Sequence, residues 1–175
     1  MKEDVYEPRE DSFLLEKYVK KYAKGNVLDM GTGSGIQALA ALTKTKDVLA
    51  VDINENAVKQ VKKLNVKARV SNLFSNVKEK FDLIIFNPPY LPHEKGMQVA
   101  LSGGKKGNEV ITKFLGQAKE HLRVNGKILL IASSLTGDIK KLCNKLGYKL
   151  KCLETNSYFF EKLSVYLLEP KSCNS

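Results

Sequence analysis

Residue types that often build metal sites, disulfides and nucleic-acid contacts are scarce in this sequence of 175 residues. It has three cysteines and two histidines, with no Cys-x-x-Cys pair, and an odd cysteine count argues against a disulfide framework. Tryptophan is absent, and only three residues are arginine. No apolar run approaches the roughly 18 to 20 residues that span a bilayer, and residues 1–4 lack the apolar core of a signal peptide. We therefore expect a soluble cytoplasmic protein with no metal site and no membrane partner.

Positive charge is nevertheless abundant, with a formal net charge of +10. It comes almost entirely from lysines scattered along the chain, whereas nucleic-acid surfaces commonly concentrate basic and aromatic residues in one patch. The charge therefore favours a solvated surface. A nucleic-acid partner stays open but is not favoured.

Apolar segments and turns alternate along the chain in the order of a doubly wound α/β fold. A strand at 26–30, a glycine loop and a helix at 36–42 form the first unit. The remaining predicted elements are strands at 48–52, 66–70, 81–86, 127–132, 149–154 and 163–168, helices at 54–64, 108–122 and 136–146, and a turn at Asn125-Gly126. The pattern predicts one Rossmann-like sheet of about seven strands, mostly parallel with an antiparallel last strand, and helices on both faces. We expect a single domain over residues 1–175, with a helical lid segment at 1–24 and the core at 25–175.

The glycine loop after the first strand distinguishes two kinds of ligand. Gly31, Gly33 and Gly35 allow the backbone to turn tightly and to approach a ligand closely. A pyrophosphate loop usually needs a further glycine where Ile36 stands, and Asp29 would repel its phosphates. S-adenosylmethionine (SAM) carries an ammonium and a sulfonium but no phosphate, so an acid here is favourable. The loop therefore favours SAM over a dinucleotide.

Asp52 ends the second strand, where its carboxylate can accept hydrogen bonds from ribose hydroxyls. Such an acid is compatible with either ligand. An alternative is that Asp29 and Asp52 only cap the helices that follow them.

Asn87-Pro88-Pro89-Tyr90 ends the apolar strand at 81–86. The prolines remove N–H donors and keep the backbone extended, so nearby carbonyls can accept hydrogen bonds from another group. With the Asn87 side-chain carbonyl, they suit a planar NH2 group, and Tyr90 can form a flat wall beside it. A turn that merely ends the strand is the alternative.

Together these three motifs resemble those of class I SAM-dependent methyltransferases that act on amino groups. Two further stretches are similar to segments of the short archaeal and eukaryotic HemK-type enzymes, which methylate the glutamine of a Gly-Gly-Gln motif in the class I translation termination factor. These stretches are Asp4-Val5-Tyr6-Glu7-Pro8-Arg9-Glu10-Asp11-Ser12-Phe13 and Ala100-Leu101-Ser102-Gly103-Gly104-Lys105-Lys106-Gly107.

The resemblance implies a class I methyltransferase fold, SAM as methyl donor and the termination factor as protein substrate. It also implies a heterodimer with a small zinc-binding activator protein that adds a strand to the sheet, for which the strand at 66–70, expected at an edge, is suitable. The implied catalytic residues are Asn87, Pro88, Pro89 and Tyr90. The implied cofactor-binding residues are Glu7, Pro8, Glu10, Ser12, Asp29, Gly31, Thr32, Gly33, Gly35, Asp52, Ile53, Asn72, Leu73 and Asn87. Without the resemblance, Glu7, Glu10 and Asp11 would be interpreted as acids that stabilise a helix start.

Two other functions remain open. An adenine amino group is also a planar NH2, so an N6-adenine methyltransferase acting on RNA or DNA fits the same motif, although such enzymes generally add a recognition domain or basic arm. The second alternative is a non-catalytic SAM-binding subunit. The stretch at 91–107 is long for a connection in a compact domain and is a candidate for substrate recognition.

Overall fold

A computed structural model describes residues 5–89 and 108–172, and its centre is a seven-stranded sheet. The strands are β1 (Val27–Met30), β2 (Val48–Asp52), β3 (Lys67–Val70), β4 (Phe81–Phe86), β5 (Leu122–Ser133), β6 (Tyr148–Ser157) and β7 (Lys162–Pro170). Their order across the sheet is β3-β2-β1-β4-β5-β7-β6, and β7 runs antiparallel to both of its neighbours while the other pairs are parallel. The predicted sheet, including the edge position of β3, is confirmed.

Five α-helices cover the two faces of this sheet in the described part of the chain. They are α1 (Glu10–Tyr22), α2 (Ile36–Leu42), α3 (Glu55–Lys63), α4 (Glu109–Ala118) and α5 (Ile139–Lys145). None of the helices in the described ranges is long and apolar enough to cross a membrane.

The alternating direction of the side chains along β4 explains why helices cover both faces of the sheet. Leu83 and Ile85 pack with α1 and α2 on one face, whereas Ile84 and Phe86 pack with α4 on the other. Successive side chains of a strand point to opposite faces, so a continuous apolar run requires a helical layer on each side. Helices α1 and α2 supply the layer on one face, and α4 supplies the layer on the other.

Several element bounds differ from the sequence prediction. The predicted turn at Asn125-Gly126 lies within β5, where the pairing with β4 is irregular and Asn125 has a left-handed φ of 62°. The helix predicted at 136–146 begins later in the structure. Ser134–Thr136 forms a separate 3-10 turn, and α5 starts after Asp138, whose side chain accepts the Lys141 N–H. The last two strands are each longer than predicted and form an extended hairpin.

The topology brings the carboxyl ends of β1, β2 and β4 together. Met30 pairs with Val51 on one side and with Phe86 on the other, so residues 31, 52 and 87 follow in one row. The connection order reverses between β1 and β4, which is the position where open α/β sheets bind ligands.

Candidate active site

The glycine loop after β1 is held against the end of β2. The Thr32 N–H donates to the Val51 carbonyl at 3.0 Å, and the Gly33 N–H donates to Asp52 Oδ2 at 2.9 Å. Gly35 has a φ of +88°, and a Cβ at this position would lie 2.9 Å from the Val61 side chain. The positive φ and the short distance to Val61 both require glycine at position 35. The hydrogen bonds of Thr32 and Gly33 keep the loop close to the edge of the sheet.

Asp29 lies beneath the loop and is only 2% exposed. Its Oδ2 accepts hydrogen bonds from the Thr32 hydroxyl at 2.6 Å and from the Ala38 N–H at 3.1 Å. Burial raises the pKa of Asp29 to about 7, nearby Asp52 adds a smaller increase, and the two hydrogen bonds oppose it. Asp29 therefore ties the loop to the first turn of α2, as the capping alternative describes, and offers little surface to a ligand.

Asp52 is partly exposed and points toward the same edge. Its Oδ1 accepts the Asn54 N–H at 2.9 Å, in addition to the Gly33 contact. Each carboxylate oxygen has more than one lone pair, so Asp52 is of a type that accepts both backbone N–H groups and hydroxyl donors. The adjacent Ile53 is 59% exposed and provides an apolar surface beside Asp52.

Asn72 and Leu73 follow β3 at the same edge of the sheet. Asn72 is exposed, and Leu73 is half-buried with a left-handed φ of 51°. The Ser71 hydroxyl holds the turn by donating to the Leu73 carbonyl at 2.6 Å.

The predicted site residues before and within α1 divide into two groups. Glu7 and Pro8 line a shallow groove of about 430 Å³ between α1 and α2, together with Ser34 and Ile36, and Glu10 is exposed. Asp29, Asp52 and Asn87 do not line this groove. Glu7 and Pro8 were predicted to share one donor pocket with the strand-end residues, but the structure places them in a separate groove.

Ser12 faces the interior and is 2% exposed. Its hydroxyl donates to Asp11 at 3.1 Å, and its carbonyl accepts the Gln37 side-chain amide at 2.8 Å. The contact with Gln37 connects α1 to α2. A Cβ on Gly33 would lie 3.6 Å from Tyr6, so the segment that precedes α1 passes over the glycine loop.

Asn87 has its side-chain amide fixed by a buried acid. The Asn87 Nδ2 donates to Asp11 Oδ2 at 3.0 Å, and Asp11 is 2% exposed. In this arrangement the amide nitrogen faces Asp11 and the oxygen faces away from it. The Asn87 Oδ1 is buried and has no hydrogen-bond partner among the described residues. The contact with Asp11 thus fixes the direction of the buried Asn87 oxygen.

Asp11 is a site residue that sequence reasoning missed, since it was grouped with the acids of a helix start or lid and was not among the predicted site residues. It also accepts the Tyr6 hydroxyl, at 2.9 Å and 3.1 Å to its two oxygens, and the Ser12 N–H at 2.6 Å. A signal was present: Asp11, Leu15 and Tyr18 follow helical spacing on one face, and both other residues are buried. A charged side chain on the inward face of a helix needs a partner.

The rest of the predicted catalytic motif is described in part. Pro88 is buried and Pro89 is half-buried after β4. Tyr90 and the stretch at 91–107, including the motif at 100–107, lie outside the described residues.

The residues at the strand ends fit SAM as a ligand. Asp52 suits a ligand with cationic groups and no phosphate, and the glycine loop allows close backbone approach. The exposed acids Glu7 and Glu10 lie before and within α1, outside this row of residues. Exposed Ile53 can contact the adenine base of SAM, and Asn87 Oδ1 is a buried acceptor without a donor in the part of the chain that the structure describes. These features suit a methyl donor and, next to it, an amino group.

Comparison with known proteins agrees with this assignment. The domain model "Methyltransferase small domain" matches residues 10–160. A protein of Methanocaldococcus jannaschii, provisionally named a protein N5-glutamine methyltransferase, is 38% identical over 93% of this chain and 90% of its own length. Methyltransferase HEMK2 of Mus musculus is 32% identical over 73% of this chain and 71% of its own length.

A solved structure has the same fold over nearly the whole chain. It is the E. cuniculi Mtq2-Trm112 complex, responsible for methylation of the eRF1 translation termination factor. The TM-score is 0.79 at 24% identity, over 97% of this chain and 99% of that one.

The fold and the site define a class I SAM-dependent methyltransferase, and SAM is its methyl donor. Within that class, the chain belongs to the methyltransferase small domain family and to its HemK-type members, as the motif resemblance predicted.

Proposed function

We propose that this enzyme methylates the side-chain amide nitrogen of a glutamine in the translation termination factor, within its Gly-Gly-Gln motif. The observation that carries the proposal is the buried Asn87 Oδ1, to which no residue within 5–89 or 108–172 donates, while Asp11 holds the Nδ2 of the same amide. A primary amide supplies the missing N–H. The names of the M. jannaschii and mouse relatives, and the eRF1 methylation by the Mtq2-Trm112 complex, support glutamine as the acceptor.

SAM supplies an electrophilic methyl group when it is bound. Asn87 Oδ1 and the Pro88 carbonyl accept the two N–H bonds of the substrate amide, and Tyr90 packs against the amide plane. These contacts fix the nitrogen and strengthen as it becomes pyramidal, which offsets the weak nucleophilicity of an amide. The new N–C bond replaces the bond between the methyl carbon and the sulfonium sulfur, so that one amide proton is released to water and S-adenosyl-L-homocysteine is the second product.

A direct assay tests the acceptor. The purified enzyme, with and without its activator protein, is incubated with labelled SAM and, in separate reactions, the termination factor, the same factor with its Gly-Gly-Gln glutamine changed to alanine, and bulk RNA. We expect label only on the unchanged factor, with the methyl group mapped to the glutamine by mass spectrometry. Label on RNA adenine would support the N6-adenine alternative. Binding of SAM without label on any acceptor would support a non-catalytic subunit.

We also propose that a small activator protein, zinc-binding in the related short enzymes, pairs with β3. Among the described strands, β3 and β6 are the sheet edges, and β3 pairs only with β2. Its four residues are partly or largely exposed, so a partner strand can add to its free side. The likeness to the Mtq2-Trm112 complex supports a small partner.

Hydrogen exchange with and without the activator tests this pairing. Amides at 67–70 should become protected in the complex, while those at 148–157 on the other edge should not change. Protection confined to β6, or no complex at all, would contradict the proposal.

A further inference from the structure

The turn between β6 and β7 presents two aromatic rings to solvent. Phe159 is 95% exposed and Phe160 is 87% exposed, and Tyr158 beside them is 37% exposed. The Phe159 and Phe160 rings contact each other edge to face, with centroids 4.9 Å apart. We name residues 158–160 the aromatic tip. Contiguous exposed apolar surface of this kind usually marks an interaction site.

The aromatic tip is held in place by defined contacts. The Tyr158 N–H donates to the Glu161 carbonyl at 2.8 Å, which closes the turn. The Ser133 hydroxyl donates to Glu161 Oε2 at 2.6 Å, and the Lys162 N–H donates to the Ser134 hydroxyl oxygen at 3.0 Å. The tip is therefore fixed to the end of β5.

This anchoring places the aromatic tip at the catalytic edge of the sheet. Leu163 of β7 pairs with Ser133, the last residue of β5, so the turn extends beyond the carboxyl end of that strand. β5 is the neighbour of β4, whose last residue immediately precedes Asn87. Adjacent strands lie roughly 4.8 Å apart, so two strand spacings separate β7 from β4 across this edge.

We propose that the aromatic tip docks the protein that carries the target glutamine, and this rests on the proposed function. A folded protein whose glutamine reaches Asn87 is brought against the adjacent sheet edge, and the tip lies on that edge. Aromatic side chains supply much of the binding energy of protein interfaces. Single-stranded nucleic acid also stacks on aromatic rings, but it needs a basic groove alongside. Here Glu161 and Lys162 carry opposite charges next to the rings, which favours an apolar protein surface.

A double substitution, Phe159→Ala with Phe160→Ala, tests the docking role. Val124→Ala is the matched control, because Val124 is 90% exposed but lies before Lys127, near the opposite end of β5. Each variant is assayed for kcat/KM on the folded termination factor and on a short Gly-Gly-Gln peptide, and for SAM affinity. We expect kcat/KM on the factor to fall at least tenfold in the double variant, mainly through KM. Peptide turnover, SAM affinity and the control variant should stay at wild-type values.

The outcomes separate the docking role from the proposed function. If the wild-type enzyme methylates the factor and the double variant does so equally well, the docking role is overturned alone. If the wild-type enzyme does not methylate the factor, both are overturned. A wild-type dimer that the double variant abolishes in sedimentation would assign the tip to a second copy of the chain and would also overturn the docking role.

Discussion

Replacing Asp11 with alanine should lower turnover without weakening SAM binding. Asp11 is 2% exposed and holds the Asn87 Nδ2 at 3.0 Å, so the contact is shielded from solvent. A hydrogen bond to a charged group contributes about 1.5 to 3 kcal/mol, and each 1.4 kcal/mol corresponds to about tenfold in rate. Without Asp11 the Asn87 amide can rotate and present its nitrogen to the substrate. We therefore expect kcat to fall by about 10- to 100-fold.

Two further variants separate this effect from a general loss of structure. Asp11→Asn keeps the shape but can both donate and accept, so it should lower kcat by about tenfold. Tyr6→Phe removes another donor to Asp11 and leaves the Asn87 contact, so kcat should stay within about threefold of wild type. The SAM dissociation constant, measured by calorimetry, should be unchanged in all three.

The orientation of the Asn87 amide can also be observed directly. In a nitrogen-15 spectrum, its NH2 signal should show one proton shifted downfield by the carboxylate, and this shift should disappear in Asp11→Ala. A wild-type kcat in Asp11→Ala, with the Asn87 signal unmoved, would refute the reasoning.

Three other predictions concern stability. Gly35→Ala places a Cβ 2.9 Å from Val61 at a φ of +88°, so the free energy of unfolding in urea should fall by about 2 kcal/mol or more; an unchanged value would contradict the predicted strain. Folding raises the pKa of Asp29 from 3.8 to about 7, so between these values the native state retains a proton that the unfolded chain has lost, and stability falls as pH rises. In Asp29→Asn, the free energy of unfolding should fall between pH 4 and pH 8 by up to about 4 kcal/mol less than in the wild type. Stability curves of variant and wild type that run parallel over this pH range would contradict the raised pKa of Asp29. Tyr148→Phe deletes a buried hydroxyl that donates to the Leu115 carbonyl at 2.7 Å, and the midpoint of urea unfolding should drop by the equivalent of about 1 kcal/mol, whereas an unchanged midpoint would count against this contact.

The sheet could be predicted from sequence because its determinants are local. The apolar run at 81–86 and the alternation of strands with amphipathic helices specify elements without knowledge of distant contacts. The predicted bounds of an element were wrong where pairing between strands overrides the local sequence signal. Asn125-Gly126 has the composition of a turn, yet the chain on both sides pairs with β4 and remains within β5.

The candidate site was less predictable, because its contacts join distant parts of the chain. Asp11 and Asn87 are 76 positions apart, and no local pattern states that they meet. The sequence also does not show whether a side chain points to the protein interior or to a ligand. Asp29 and Ser12 both belong to motifs that suggest ligand contact, but each is 2% exposed and bonded within the protein. Motifs indicated the chemistry, whereas packing determined which atoms are available to perform it.

The most direct test of the account is transfer by Asn87→Ala, measured together with SAM binding. In the proposed mechanism Asn87 Oδ1 accepts the hydrogen bond that holds the substrate amide, whereas Asn87 is only one of fourteen residues expected at the donor site. We therefore predict that Asn87→Ala loses methyl transfer to the termination factor by about 10²-fold or more, while its SAM dissociation constant stays within about threefold of wild type. Retained turnover in Asn87→Ala would contradict the account.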